Sequence, residues 1–278
     1  MSAPLLEVDG LTVSFPGRDG PREVVRDVSF TVGREKVGIV GESGSGKSMT
    51  ARAILDLIPP PGTVSARRLA FDGRDLARMG RRERMRLRGR DIAMVLQDPR
   101  HALNPVMTVG AQLVETFRVH HRLGFKEART RSIEALDTVH IRDPERVFDL
   151  YPHEISGGMG QRAMIAMMLA PNPQLLLADE PTSALDATVE AGILETLDEL
   201  VTARGMGLVL VSHDLDLVGA FCDRVLVFYA GRIVEELAAH ELARAQHPYT
   251  RGLLACVPRL GERRGELPVL QRDPDWAS

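Results

Sequence analysis

Cysteine is nearly missing from this 278-residue chain, which has only Cys222 and Cys256. Two thiols without metal-ligand spacing exclude a four-cysteine metal site within the chain and fit a reducing compartment. No apolar run reaches the ~20 residues of a membrane span; the longest candidates, Ile165 to Ala170 and Leu208 to Val211, have the length of buried elements. The first residues, Met1 to Asp9, have no basic region and no apolar core, so no secretory signal is expected. Basic residues are not in excess either. A formal net charge of −3 argues against a protein that lives on nucleic acid. What is present, 44% hydrophobic and 26% charged residues, suits a soluble globular chain with one large core and an appendage, or two modest domains.

Strand-like and helix-like segments alternate, as an α/β fold requires. Leu5 to Val8 and Leu11 to Phe15 read as two strands, followed by Val24 to Phe30 and Lys36 to Val40. A helix is predicted from Lys47 to about Leu57, stopped by Pro59-Pro60-Pro61-Gly62. Leu69 to Phe71 reads as a strand before an Asp72-Gly73 turn, and Ile92 to Leu96 as a buried strand before Gln97. From Asp98 to about Pro152 the spacing is polar and helical, a candidate insert. Apolar runs of parallel-sheet type return at Leu175 to Ala178, Leu208 to Val211 and Val225 to Phe228, and from Ala238 the chain reads as a tail.

Two stretches can each bind a phosphate. Gly41-Glu42-Ser43-Gly44-Ser45-Gly46-Lys47-Ser48 is a complete P-loop placed between a predicted strand and a predicted helix. Gly41, Gly44 and Gly46 let the backbone curl so that successive N–H groups face a β-phosphate, with Ser43 and Ser45 between them; Lys47 neutralises β- and γ-oxygens and Ser48 offers a hydroxyl to Mg²⁺. The second stretch, Ser156-Gly157-Gly158, opens a helix-like segment whose free N–H groups favour an anion. With one copy of each per chain, the inference is a nucleotide gripped from two sides by two chains.

Leu175 to Glu180 is an apolar strand ending in two acids. Asp179 can hold the magnesium ion through water and Glu180 can polarise an attacking water, against the alternative of ordinary solvated acids at a strand end. Pro181 to Asp186 follows at once, and His213 stands after the next apolar run, where it could touch a γ-phosphate or serve a structural end. Gln97 could sense the metal or its water. Phe15 could offer a platform to an adenine ring or pack in the core. Arg81 to Arg90 holds six arginines in ten residues. That run could meet phosphate backbone or lipid headgroups, but no aromatic residue interleaves with it, and a solvated helix and turn is the reading adopted.

Taken in order, the P-loop, Gln97, Ser156-Gly157-Gly158, Leu175 to Glu180, Ser183 to Asp186 and His213 resemble the nucleotide-binding subunit of ATP-binding cassette (ABC) transporters, in register from about Leu5 to Glu236. Tyr151 to Met159 and the tail His247 to Leu254 are similar to the ATPase subunits of bacterial importers for oligopeptides, dipeptides and nickel. Ile155 and Met159 stand where the commonest signature of the family has Leu and Gln.

The resemblance implies an α/β P-loop NTPase of the ABC ATPase type: a mixed RecA-like core, an antiparallel β subdomain and an inserted helical subdomain. Residues 1–236 would form the cassette, with the helical insert at about 98–155, and 237–278 an extension. It implies hydrolysis of ATP with Mg²⁺, held by Ser48, Gln97 and Asp179. Glu180, His213 and Gln97 would be catalytic, and Phe15, the P-loop, Ser156, Gly157, Gly158 and Asp186 would touch nucleotide. The implied partners are a second ATP-binding subunit, unlike or identical, which pairs head to tail with this one; two integral-membrane permeases; and a separate solute-binding protein, with no nucleic acid. The implied place is the cytoplasmic face of the inner membrane, as a peripheral subunit. Peptides are the first cargo expected and nickel or a metal chelate the second. The rival class is an ABC ATPase acting on DNA or the ribosome, which usually adds a long coiled coil, zinc cysteines or a second cassette.

Overall fold

The computed structural model describes residues 3–183, 185–256, 273 and 276. The chain forms two compact units, Met1–Met79 with Leu208–Ser278, and Gly80–Gly207. The first stretch runs β1 (Leu6–Gly17), β2 (Gly20–Val32), β3 (Lys36–Val40), α1 (Lys47–Ile54), β4 (Thr63–Ser65), β5 (Arg68–Phe71) and β6 (Arg74–Asp75). β1 pairs antiparallel with β2 on one side and with β5 and β4 on the other, and β6 extends the sheet beyond β5. The two strands expected between Leu5 and Phe15 are thus one. Gly10 adopts a φ of 62° where the register to β2 shifts between Val8 and Leu11, and that bulge interrupts the apolar alternation without ending the strand. β2 likewise extends past Val24 to Phe30, because the β1–β2 hairpin carries polar residues out to its tip.

The second unit runs α2 (Arg81–Arg90), β7 (Ile92–Val95), α3 (Val109–His121), α4 (Phe125–Thr138), α5 (Pro144–Asp149), α6 (Gly157–Leu169), β8 (Leu175–Asp179) and α7 (Ala187–Arg204). β7 and β8 pair in parallel, Ile92 opposite Leu175 through Val95 opposite Ala178. Both are buried throughout, which explains their uninterrupted apolar sequence. The arginine-rich run is indeed a helix with a turn, Gly89 taking a φ of 77° before β7. The expected insert is helical and packs α3 against α4, with α5 on both. Gly110 makes room for Phe148 there, since a Cβ would stand 2.3 Å from that ring.

The chain then returns with β9 (Gly207–Val211), α8 (Leu215–Phe221), β10 (Arg224–Tyr229), β11 (Arg232–Ala238) and α9 (Pro248–Cys256). In this unit β3 lies parallel between β9 and β10, and β11 closes the edge antiparallel to β10. Val37, Ile39, Val40, Leu208, Val209, Val211 and Val225 are completely shielded. At about 1.5–3 kcal/mol for each such side chain, they form the main stabilising layer of the unit. β11 was not expected from sequence, where the region belonged to the end of the cassette; its half-buried residues lack a clear period of two. The tail contains α9, as a short helix with Pro248 at its start. Its buried residues are Tyr249 and Thr250, while Leu253 and Leu254 are only half-covered. The sequence reads Gly261 to Ser278 as polar enough to be mobile; apart from Asp273 and Trp276 these residues lie outside those described. Among the described residues no helix is long and apolar enough to cross a membrane.

Candidate functional site

The first unit builds the phosphate loop between β3 and α1. Gly41 leaves β3 with a φ of 148°, and a Cβ there would lie 2.2 Å from the carbonyl oxygen of Phe228 on β10. Gly46, the N-cap of α1, has a φ of 104° and would place a Cβ 2.6 Å from the Val24 carbonyl oxygen. Only glycine satisfies both backbone and neighbours at these two points. The loop therefore delivers the N-terminus of α1, with its positive dipole end, to its open side. Lys47 is buried, and its ammonium donates to the carbonyl oxygens of Gly41 (2.7 Å) and Glu42 (2.9 Å). Ser45 Oγ is buried with no hydrogen-bond partner among the described residues. At Gly44 a Cβ would meet nothing within 4 Å. An orphaned hydroxyl, a buried cation and a helix N-terminus are the features of a phosphate cradle, so the residues fit a nucleoside triphosphate.

Two more expected residues belong to this unit. His213 follows β9, exposed, just before Asp214 caps α8 by accepting from the Leu217 N–H at 3.0 Å. Phe15 lies near the end of β1, half-buried, with its ring against Gly62, where a Cβ would come within 2.7 Å. Its ring edge thus comes close to the turn after α1, and at this half-burial it is not a core residue. The loop also receives a contact that motif spacing did not disclose. The Glu42 N–H donates to the hydroxyl of Tyr249, 207 residues away, at 2.9 Å.

The second unit carries the remaining residues. Asp179 ends β8 almost fully buried, and Glu180, half-buried, takes a φ of 47°. A left-handed backbone at a non-glycine residue costs energy and is held here by the next turn, where the Ser183 hydroxyl donates to the Glu180 carbonyl at 3.3 Å. Gln97, which follows β7, points its amide Nε2 at Glu180 Oε2, 3.4 Å away. Asp98 then caps the turn Pro99–His101, accepting from the Arg100 N–H at 2.9 Å and pairing with the Arg100 guanidinium at 2.8 Å. Arg100 holds the Asp98 carboxyl down at about 2, so it stays ionised at any physiological pH.

Ser156 is the N-cap of α6, its hydroxyl accepting from the Met159 N–H at 3.3 Å. That bond uses the Met159 backbone, so the residue type at 159 does not enter it. Gly158 allows α6 to lie against α7, since a Cβ would stand 2.6 Å from Val189 Cγ1. Gln161, buried, reaches back to the Leu96 carbonyl at 3.4 Å and ties α6 to the segment of Gln97. Arg162 donates to the Val139 carbonyl (2.7 Å) and the Thr196 hydroxyl (2.8 Å), and burial lowers its pKa. Asp186, expected to touch nucleotide, caps α7 by accepting from the N–H groups of Thr188 (3.1 Å) and Val189 (3.0 Å). Between the Gln97–Leu103 stretch and the signature Ile155–Gln161 opens a cleft of about 620 Å³. Oxygen donors suited to a hard divalent cation are present on both units: the Ser48 hydroxyl on one, Asp179 and Gln97 on the other.

The family model described as ABC transporter matches residues 25–183. The dipeptide transport ATP-binding protein DppD of Escherichia coli is 47% identical over 268 residues, covering 96% of this chain and 82% of that protein. The oligopeptide transport ATP-binding protein OppD of Bacillus subtilis is 45% identical over 265 residues, covering 94% and 74%. Among solved structures, the dimeric post-hydrolysis state of the ATP-binding cassette MJ0796 bound to ADP and Pi matches with a TM-score of 0.74 and 27% identity, over 84% of this chain and 98% of that one.

Proposed function

Because this chain belongs to the ABC transporter family, we propose that it is the ATP-hydrolysing subunit of an importer that energises the uptake of peptides through partner permeases. The observation that carries the reading is a phosphate cradle with a buried lysine and an orphaned Ser45 hydroxyl, in a chain 47% identical to a dipeptide transport ATP-binding protein. The transport relatives give no support to an ABC ATPase of DNA or the ribosome.

In this reading Lys47 and the N-terminal amides of α1 hold the β- and γ-phosphates, and Phe15 offers its ring to the adenine. Glu180 accepts the proton of the attacking water while Gln97, bonded to its carboxylate, orients it. His213 donates to a γ-phosphate oxygen, and Ser156, Gly157, Gly158 and the Asp186 loop of a second subunit cover the nucleotide from the far side. Mg²⁺, when bound through Ser48, Asp179 and Gln97, supplies charge neutralisation at the transferring phosphoryl group. Residues 1–236 act as the cassette, 98–155 as its helical insert and 237–278 as an extension. The permeases dock at the 620 Å³ cleft beside Gln97, on the cytoplasmic face of the membrane, and a separate solute-binding protein delivers the peptide.

The test is reconstitution with the partner permeases and second ATP-binding subunit in proteoliposomes, following labelled dipeptide and phosphate release together. Glu180→Gln should retain ATP and lose both activities. Hydrolysis at the wild-type rate would remove Glu180 from the mechanism. Tight ATPase coupling to a non-peptide solute, with no response to dipeptide, would replace the cargo.

A further inference from the structure

The His247-Pro248-Tyr249 segment does more than close the chain. Glu235 on β11 accepts from the N–H groups of Gln246 (2.7 Å) and His247 (3.2 Å), and His247 Nδ1 accepts from the Tyr249 N–H at 3.2 Å. With Pro248 at the first helical position, these bonds set where α9 begins and how its first turn faces. Tyr249 is thereby driven inward to complete burial. Its ring lies 4.5 Å from that of Tyr229, centroid to centroid, and 5.8 Å from that of Trp276. Tyr229 closes β10 directly after Phe228, the residue whose carbonyl abuts Gly41. Tyr229 also donates its hydroxyl to the Asp273 carbonyl at 3.1 Å. The extension and the end of β10 together form an aromatic wall behind the phosphate loop.

The hydroxyl of Tyr249 touches the loop at its most committed peptide. Glu42 donates its N–H to that hydroxyl at 2.9 Å, while its carbonyl accepts from the Ser45 N–H (3.2 Å) and the Lys47 ammonium (2.9 Å). The Glu42 N–H shares its peptide plane with the Gly41 carbonyl, which accepts from the Lys47 ammonium at 2.7 Å, so the extension holds one end of the plane whose other end directs the lysine. Deleting the phenol oxygen would leave that part-buried N–H without this partner, and the plane would rotate to find another.

We propose that Tyr249 is a positioning residue for ATP: it holds the Glu42 peptide so that the loop and Lys47 are preset for phosphate, and the C-terminal extension thereby sets nucleotide affinity. This rests on the reading that the P-loop takes ATP.

The experiment uses the full chain as wild type, Tyr249→Phe and Lys47→Ala, with Mg·ATP affinity measured by calorimetry well below each Tm, and with KM and kcat measured in the assembled transporter. Tyr249→Phe keeps the ring, so Kd and KM should each rise about three- to ten-fold with kcat within about two-fold. A Kd within about two-fold of wild type, even with a lowered Tm, makes Tyr249 merely structural and overturns the proposal. Lys47→Ala separately tests the premise, since undiminished ATP binding there would remove the P-loop from the site whatever Tyr249 does. Trp276, the one tryptophan of the chain, gives a readout that needs no variant. Its emission should change on ATP titration of the wild type with the calorimetric Kd, and a flat signal under saturating ATP overturns the proposed link.

Discussion

Glu180 holds its carboxylate on a left-handed backbone, so its position depends on the Ser183 turn as much as on β8. Glu180→Gln preserves shape and removes the proposed proton acceptor. Single-turnover hydrolysis should fall by about 10²–10⁴-fold with ATP affinity retained. Gly41 is constrained from two directions, by φ and by the Phe228 carbonyl. Gly41→Ala should lower stability by more than about 1 kcal/mol in chemical denaturation and weaken ATP binding. Phe15 has its ring edge near Gly62 and is half-exposed. Phe15→Ala should therefore weaken nucleotide binding by about 1 kcal/mol, a stacking-sized loss, with the dissociation constant as the measure. By residue type alone the sequence favoured a core residue at least as much as an adenine platform for this side chain, because residue type does not report burial.

α6 begins at a cap that the proposed function also uses. Ser156 accepts from the Met159 N–H, and Ser156→Ala should cost about 1 kcal/mol of stability in the second unit besides any effect on hydrolysis. α8 packs on β3 so closely that a Cβ at Gly38 would lie 2.1 Å from Val218 and 3.1 Å from the Cys222 sulfur. Cys222 is buried there and its thiol is pushed up to about 12, so a disulfide reagent at pH 8 should leave it unmodified until denaturant is added, as thiol counting can follow. Elements with strong periodicity or apolar runs, such as β3, β8, β9 and β10, stand where the sequence places them. β11 and the unbroken β1 were not legible, because a half-covered edge strand has a weak period and a bulge mimics a strand end.

For the assembled protein, the proposed pairing of cassettes has a direct consequence. ATPase rate per chain should rise with protein concentration and vanish at dilution, which steady-state assays over a wide concentration range can check. Val106, 78% exposed beside Pro105 on the rim of the cleft, should belong to the permease contact if docking occurs there. Val106→Asp should abolish co-purification with the permeases while ATP binding by the isolated chain is unchanged.

The P-loop, the Ser-Gly-Gly helix start and the paired acids after an apolar strand could be recognised in the sequence because each is a local device. Their spacing along the chain is the chemistry: glycines that permit a curl, a lysine one residue beyond, a carboxylate at a strand end. The tertiary structure alone decided that Gln161 reaches the Gln97 segment and that Tyr249 grips Glu42. Those contacts join side chains to backbone groups whose direction depends on how helices and strands pack, and no local spacing encodes a bond across 207 residues.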